Sequence, residues 1–417
     1  MRIAVIGAGV AGSAAAFALA TGSPHEVVVY EAEGRPGGHS ITLDVDLGGR
    51  PTPVDMGFIV YNEATYPDFA RLLAHLGVAS RRADMSFCLA DADGTVAWSS
   101  RGRLPLPSAG ALRLLGDLLR YNRAAAGSRR EGLDAATTLG EHLVALRVGR
   151  VLRDSYLVPM AAAIWSMPPG DVLAMPARTF VAFFEAHRLL RLRRPAWRTI
   201  RGGSRAYVER LAAPWRARLR AGAARVRRHD RGVEIADGRG HLDRFDALVM
   251  ACHPAQALHL LADAEADERA VLGAIRHRPS EVVLHRDASL MPARRDAWAA
   301  WTILRQPNGT GGPAVSYWMN ALQGLDPAHP VFVSLDPPRP PADRLTLARR
   351  TLSHPQLDAA AIAAQNRLPA LQGRRRTWFA GAWTGYGFHE DGTRSGLDAA
   401  AALGALLPWR PRARAAA

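Results

Sequence analysis

The sequence contains no lysine; all 53 lysine-or-arginine positions in its 417 residues are arginine. It has two cysteines, Cys88 and Cys252. These are too few for a disulfide framework and sit far from any histidine cluster, so no metal site is expected. No stretch approaches roughly eighteen uninterrupted apolar residues, which excludes a membrane-spanning helix from the reading. Met1 runs directly into the strand-like Arg2-Ile3-Ala4-Val5-Ile6, with no room for a secretory leader. The expectation is a cytoplasmic protein.

The formal net charge is +15. Two readings of this excess stand: the codon bias of a GC-rich genome, or attraction toward a phospholipid surface, an acidic substrate or nucleic acid. No nucleic-acid-binding motif is present. Among anionic partners the membrane surface is therefore the one expected, with the protein peripheral at the inner face of the cytoplasmic membrane. Leu112, Leu115 and Leu119, flanked by Arg113, Arg120 and Arg123, suit a headgroup boundary. So does Arg188-Leu189-Leu190-Arg191-Leu192-Arg193-Arg194, with Trp197 behind it; the alternative for both is a solvated helix face. The C-terminal Trp409-Arg410-Pro411-Arg412-Ala413-Arg414 reads as a disordered tail.

There is no internal repeat. The first ninety or so residues alternate in strand–helix–strand order. Residues 108–200 read as helical and rich in arginine and leucine. Strand signals return at 225–228, 232–235 and 247–251, then at 280–286, 298–304 and 314–319. The pattern predicts an α/β protein: a Rossmann-like nucleotide-binding domain from residues 1–85, 202–262 and 370–417. An α+β substrate domain, 86–201 and 263–369, is inserted in two pieces.

Gly7-Ala8-Gly9-Val10-Ala11-Gly12 closes the first apolar strand and opens an alanine-rich helix. Gly7 permits the tight turn, Gly9 lets a pyrophosphate approach the backbone, and Gly12 lets helix pack on strand. Glu31 stands at the end of the next strand, with Ala32 beside it, where an acid accepts hydrogen bonds from a ribose diol. A second backbone-exposing loop follows at Gly37-Gly38-His39-Ser40. Near the other end, Phe379-Ala380-Gly381-Ala382 and Gly387-Phe388-His389-Glu390-Asp391-Gly392 precede another alanine-rich helix. A second helix N-terminus suits a ring system that turns negative on reduction.

In this order the motifs resemble the flavin-containing amine oxidase superfamily, over essentially the whole chain. The resemblance implies the two-domain architecture shared with p-hydroxybenzoate hydroxylase and a non-covalent FAD. It places ADP on Gly7–Gly12, Glu31 and Ala32, and phosphates on Gly37–Ser40. The flavin falls along Gly57-Phe58-Ile59, adenine on the backbone of Val226, and the ribityl chain and ring on Gly381, Ala382, Phe388, His389 and Glu390. Two positions depart from the family pattern: Ala382-Trp383 stands where the acid after Phe-Ala-Gly is usual, and His39 where an arginine is usual. Finer strings, among them Gly57–Glu63, Ile164-Trp165-Ser166 and Tyr317-Trp318-Met319-Asn320, are similar to one bacterial branch. That branch is associated with fatty-acid methylation enzymes and holds a flavin-dependent acyl desaturase of furan fatty acid synthesis.

Amine oxidases of the superfamily generally set a lysine against the flavin through water, and this chain has none to offer. The resemblance therefore implies desaturation of a methyl-branched, unsaturated acyl chain of a phospholipid, with dioxygen as acceptor. An isomerase, a non-catalytic FAD-binding partner of a lipid-modifying enzyme and an amine oxidase are the alternatives. Candidate proton acceptors are His389, then Glu63 and Tyr61. Trp165, Phe183, Phe184, Trp318 and Met319 are candidates for an apolar slot; Phe180 and Phe184 share helical spacing and suit core packing equally. A homodimer is compatible with the sequence.

Overall fold

The computed structural model describes residues 1–101, 109–134, 136–190, 195–305 and 314–410, and the backbone alone at 109–115 and 129–131. Its frame is a five-stranded parallel sheet in the order Leu219–Ala221, Glu26–Glu31, Arg2–Ile6, Ala247–Met250, Thr377–Phe379. The central strands are apolar on both faces because both faces are covered. Ile3, Val5, Val27 and Val29 point to one side, against the helices Val10–Gly22 and His389–Ala402. Ala4, Ile6, Val28 and Tyr30 point to the other, against Val226 and Phe245 of an antiparallel three-stranded sheet. Each large aliphatic side chain buried in this way contributes roughly 1.5–3 kcal/mol.

The second unit is a seven-stranded sheet in the order Thr346–Pro355, His277–His285, Phe332–Leu335, Ala314–Trp318, Trp301–Arg305, Phe87–Asp91, Val96–Ser99. Helices between Ala109 and Ala186 pack on it and form the largest apolar cluster. All strands of the two main sheets fall in the expected segments of the chain. Two helices do not: Ala266–Ala274 and Ala359–Arg367, expected in the inserted unit, send Val271, Leu272, Ala361 and Ala364 into the cluster under the parallel sheet. A helix joins whichever sheet its apolar stripe covers, and composition alone does not say which one that is.

Two links tie the units together. Arg198–Ile200 pairs with both Val60–Tyr61 and Ser80–Arg82. The buried Asp55 accepts from Thr42 Oγ1 at 2.6 Å and Ser204 N at 2.8 Å, while Gln323 Nε2 donates to its other oxygen at 3.2 Å.

No described helix is long and apolar enough to cross a membrane. The side chains of Leu112, Arg113 and Leu115, and residues 191–194, lie outside the described residues. The start of the C-terminal tail is ordered, contrary to expectation. Trp409 stacks on His75 at 5.2 Å, and Arg410 pairs with Asp68 at 2.8 Å and Asp398 at 2.9 Å. These are three partners that a local composition reading does not register.

Candidate active site

Three loops meet at the C-terminal edge of the parallel sheet. Gly7 has φ +97°, and a Cβ there would lie 2.7 Å from the carbonyl oxygen of Ala251, so only glycine makes this turn. Gly9 caps the first helix with no side-chain hydrogen bond, and the space where its Cβ would stand is empty to 4 Å. That leaves first-turn N–H groups free beside an open cradle, which is what a pyrophosphate requires. Gly37 N donates to Ala8 O at 2.8 Å, and Phe58 N to His39 O at 3.1 Å. The phosphate turn, the Gly37–Ser40 loop and the Gly57–Ile59 loop are thus laced together.

Glu31 accepts from Ala8 N at 2.7 Å and from Glu33 N at 2.9 Å. These bonds hold its carboxylate against the turn, with lone pairs to spare for a diol. Ala32 lies against Gly222 at the sheet edge. Val226 is fully buried, and its carbonyl takes the N–H of Ala262 at 2.9 Å. Gly381 N is held by Ser395 Oγ at 3.0 Å, which fixes the Gly381-Ala382 turn. Trp383, in place of the family acid, is buried and donates Nε1 to Cys252 O at 3.2 Å. His39 sits edge-on to His354 at 5.7 Å and His253 at 6.0 Å. Burial, with those neighbouring rings, pushes His39 down to about 3, so it brings no charge to the phosphates. The cradle fits an adenine dinucleotide, with backbone dipoles doing what an arginine does elsewhere.

Beyond the loops lies a cavity of about 540 Å³, lined among others by Gly57, Phe58, Ile59, Phe388, His389, Trp165 and Phe183. Among the described residues no carboxylate lines it, and Arg82, exposed at the rim, is the one permanently charged side chain in its wall.

The sequence candidates divide on this geometry. Trp165 and Phe183 line the cavity, their rings 4.6 Å apart. Phe184 instead stacks on Phe180 at 4.0 Å in the core, because residues 180 and 184 share one helix face and 183 and 187 another. Trp318 packs on Trp298, and Met319 is fully buried outside the cavity. Tyr317 and Trp301 take their place; adjacent strand residues face opposite sides, so Tyr317 in the wall turns Trp318 away. Glu63 is 70% exposed, paired with Arg198 at 3.6 Å and outside the cavity. Tyr61 is outside it too, donating to Ser80 Oγ at 3.0 Å.

His389 does face the cavity, but its Nε2 is engaged by Tyr207 Oη at 2.8 Å and Ser40 Oγ at 3.1 Å; those two oxygens are 2.6 Å apart. Its ring stacks on Phe58 at 3.6 Å. Burial pushes it down to about 3. Glu390 is turned away from the cavity, both carboxylate oxygens accepting from the N–H groups of Asp68 and Phe69.

Several cavity residues escaped the sequence reading, among them Trp301 and His187. His187, just past the helix Ala177–Ala186, is buried, stacks on Phe183 at 3.8 Å, and donates Nδ1–H to Phe183 O at 3.0 Å. Its only sequence signal is the four-residue spacing from Phe183. Tyr66, Ser166 and His354 are among the other polar lining residues.

Known proteins agree with this architecture. The family model described as flavin-containing amine oxidoreductase matches residues 10–285. Over 279 residues the chain is 29% identical to AofH of Mycobacterium tuberculosis, provisionally named a flavin-containing monoamine oxidase. The alignment takes in 63% of this chain and 59% of that protein, so the chain spans about three fifths of these curated relatives' length. Among solved structures, cyclohexylamine oxidase from Brevibacterium oxydans IH-35A is similar with TM-score 0.70 and 19% identity, covering 96% of this chain and 98% of that one. The CLA-producing fatty acid isomerase from P. acnes gives 0.68 and 17%, covering 97% and 98%. At such identities the likeness is one of fold. The chain belongs to the flavin-containing amine oxidoreductase family, and FAD is its cofactor.

Proposed function

We propose that the protein is an FAD-dependent oxidoreductase that desaturates an acyl chain of a membrane phospholipid, the chain carrying a methyl branch and a double bond. The observation that carries this reading is the charge pattern of the cavity. A protonated amine entering it would meet no counter-ion among the described residues, and burying an unpaired ammonium costs several kcal/mol. An acyl chain meets Phe183, Trp165, Ile59 and Met160 along the wall, and its anionic head meets Arg82 at the rim. The fatty acid isomerase among the fold neighbours is named for an acyl substrate; the cyclohexylamine oxidase is not.

Bound FAD supplies the acceptor for a hydride from one carbon of the chain. The protein's part is to hold that carbon in place with the aromatic wall, to exclude water from the apolar cavity, and to receive a proton from the adjacent carbon. Dioxygen is the proposed final acceptor of the electrons.

Anaerobic mixing with a methyl-branched, unsaturated phospholipid tests the reading. Bleaching of the flavin together with a new diene in the extracted lipid is the expected result. Bleaching by amines alone would return the protein to amine oxidation, and a shifted double bond without an acceptor would make it an isomerase.

A further inference from the structure

We propose that His187, at the end of the helix Ala177–Ala186, is the proton acceptor of the reaction, through Nε2. The proposal rests on the acyl-chain reading above and names the base that reading requires.

A backbone carbonyl can only accept, so the 3.0 Å contact of His187 Nδ1 with Phe183 O places the hydrogen on Nδ1. The lone pair of the neutral ring is then on Nε2. That atom has no hydrogen-bond partner among the described residues, and it is not among the sealed-off polar atoms. Since His187 lines the cavity, Nε2 opens onto the space the substrate would fill.

The other imidazole suggested by sequence is placed for a different task. Tyr207 and Ser40 are both buried, and each has one hydroxyl hydrogen to place. If His389 Nε2 accepts from Tyr207, and Tyr207 accepts from Ser40, both hydrogens are used. If Nε2 donated instead, one hydroxyl hydrogen would be stranded, at the cost of an unsatisfied buried donor. His389 therefore carries its hydrogen on Nδ1 and has no free lone pair.

Rings packed on His187 come from Phe183 on its own helix, Tyr66 before the helix Pro67–His75, and Phe388 before the last helix. Of these only Tyr66 titrates, and burial beside Asp391 and Glu390 raises it well above the ordinary tyrosine range. Burial pushes His187 down to about 4, so the ring is neutral and able to accept across the working pH range. A weak base suffices: as hydride leaves one carbon, positive charge develops there and acidifies the neighbouring C–H. Two C–H bonds break and one C=C bond forms. The hydride goes to FAD and the proton to Nε2. Reoxidation passes two electrons and two protons to dioxygen as hydrogen peroxide.

The test uses FAD-loaded full-length protein. In the wild type, long-range ¹H–¹⁵N spectra of labelled histidine, assigned by loss of the signal in His187→Phe or His187→Gln, should show His187 as the Nδ1–H tautomer. It should remain neutral down to about pH 5. His187→Phe should retain the flavin spectrum and bind the lipid within about two-fold, while lipid-driven bleaching slows by roughly 10²–10⁴-fold. An Nε2–H tautomer, or full-rate bleaching in His187→Phe, would overturn the assignment. If the lipid fails to bleach the wild type, it is the substrate reading that falls, and the tautomer measurement alone then judges the nitrogen assigned here. Should His187→Phe not fold, His187→Gln serves in both arms.

Discussion

Glu390 closes the N-terminus of the helix Pro67–His75 from across the fold, its two carboxylate oxygens each 3.0 Å from an N–H, of Asp68 and of Phe69. The helix has no side-chain cap of its own, and the residue before it is Tyr66. The last helix of the chain therefore does the capping, 322 positions later in sequence. Glu390→Ala would strand two buried donors and should lower stability by about 2 kcal/mol in urea unfolding. Glu390→Gln, which keeps one acceptor, should lose about half as much. Equal losses would show that the bond geometry is unimportant.

Asp55 gives a stability signature in pH. Burial raises its pKa from 3.8 to about 6 despite hydrogen bonds from Thr42 and Ser204. Between these values the folded state holds a proton that the unfolded state has released, so stability falls as pH rises from about 4 to about 6. The contribution is about 3 kcal/mol at most. Asp55→Asn should flatten that segment of the stability-against-pH curve. An unchanged slope would show that another group produces it.

Arg82 should matter to lipid capture and hardly at all to folding, because it is exposed at the cavity rim. In Arg82→Ser the Kd for an anionic phospholipid should rise roughly 3- to 10-fold, and the salt dependence of binding should weaken. Glu63→Gln, remote from the cavity, should leave both binding and bleaching unchanged. If Glu63→Gln abolishes bleaching, the placement of the proton acceptor is wrong.

The C-terminal clamp predicts a further loss. Arg410 and Asp68 are 15% and 11% exposed in their side chains. Arg410→Ala leaves Asp68 without its better partner and should cost about 2 kcal/mol. Comparison of thermal midpoints in FAD-loaded protein decides it; a midpoint shift under one degree would mean that the pair contributes nothing.

How much of this was legible in the sequence depends on the range of the interaction involved. The Gly7–Gly12 turn, Glu31 and the alternating faces of Arg2–Ile6 are local patterns with one physical meaning each, and they fixed the parallel sheet and the cofactor cradle. Glu63 looked like a base because it follows the flavin-lining loop; it is exposed and its ion-pair partner, Arg198, lies far away in sequence. Trp318 and Tyr317 are adjacent aromatic residues, and a half-strand of sequence does not say which faces inward. His187 was passed over because its tautomer depends on a carbonyl, and side-chain patterns are silent about carbonyls. His389 lies in the cavity wall, and its partners Ser40 and Tyr207 come from two other segments and change what its ring can do.

The interleaving of the parallel sheet also bears on how the holoprotein is made. Its outer strand Thr377–Phe379 and the turn Gly381–Gly387 complete a cradle whose first loop is Gly7–Gly12. The phosphate turn and the wall opposite it therefore come from segments far apart in sequence. A folding intermediate that lacks Thr377–Phe379 would leave the edge of Ala247–Met250 unpaired and open to aggregation.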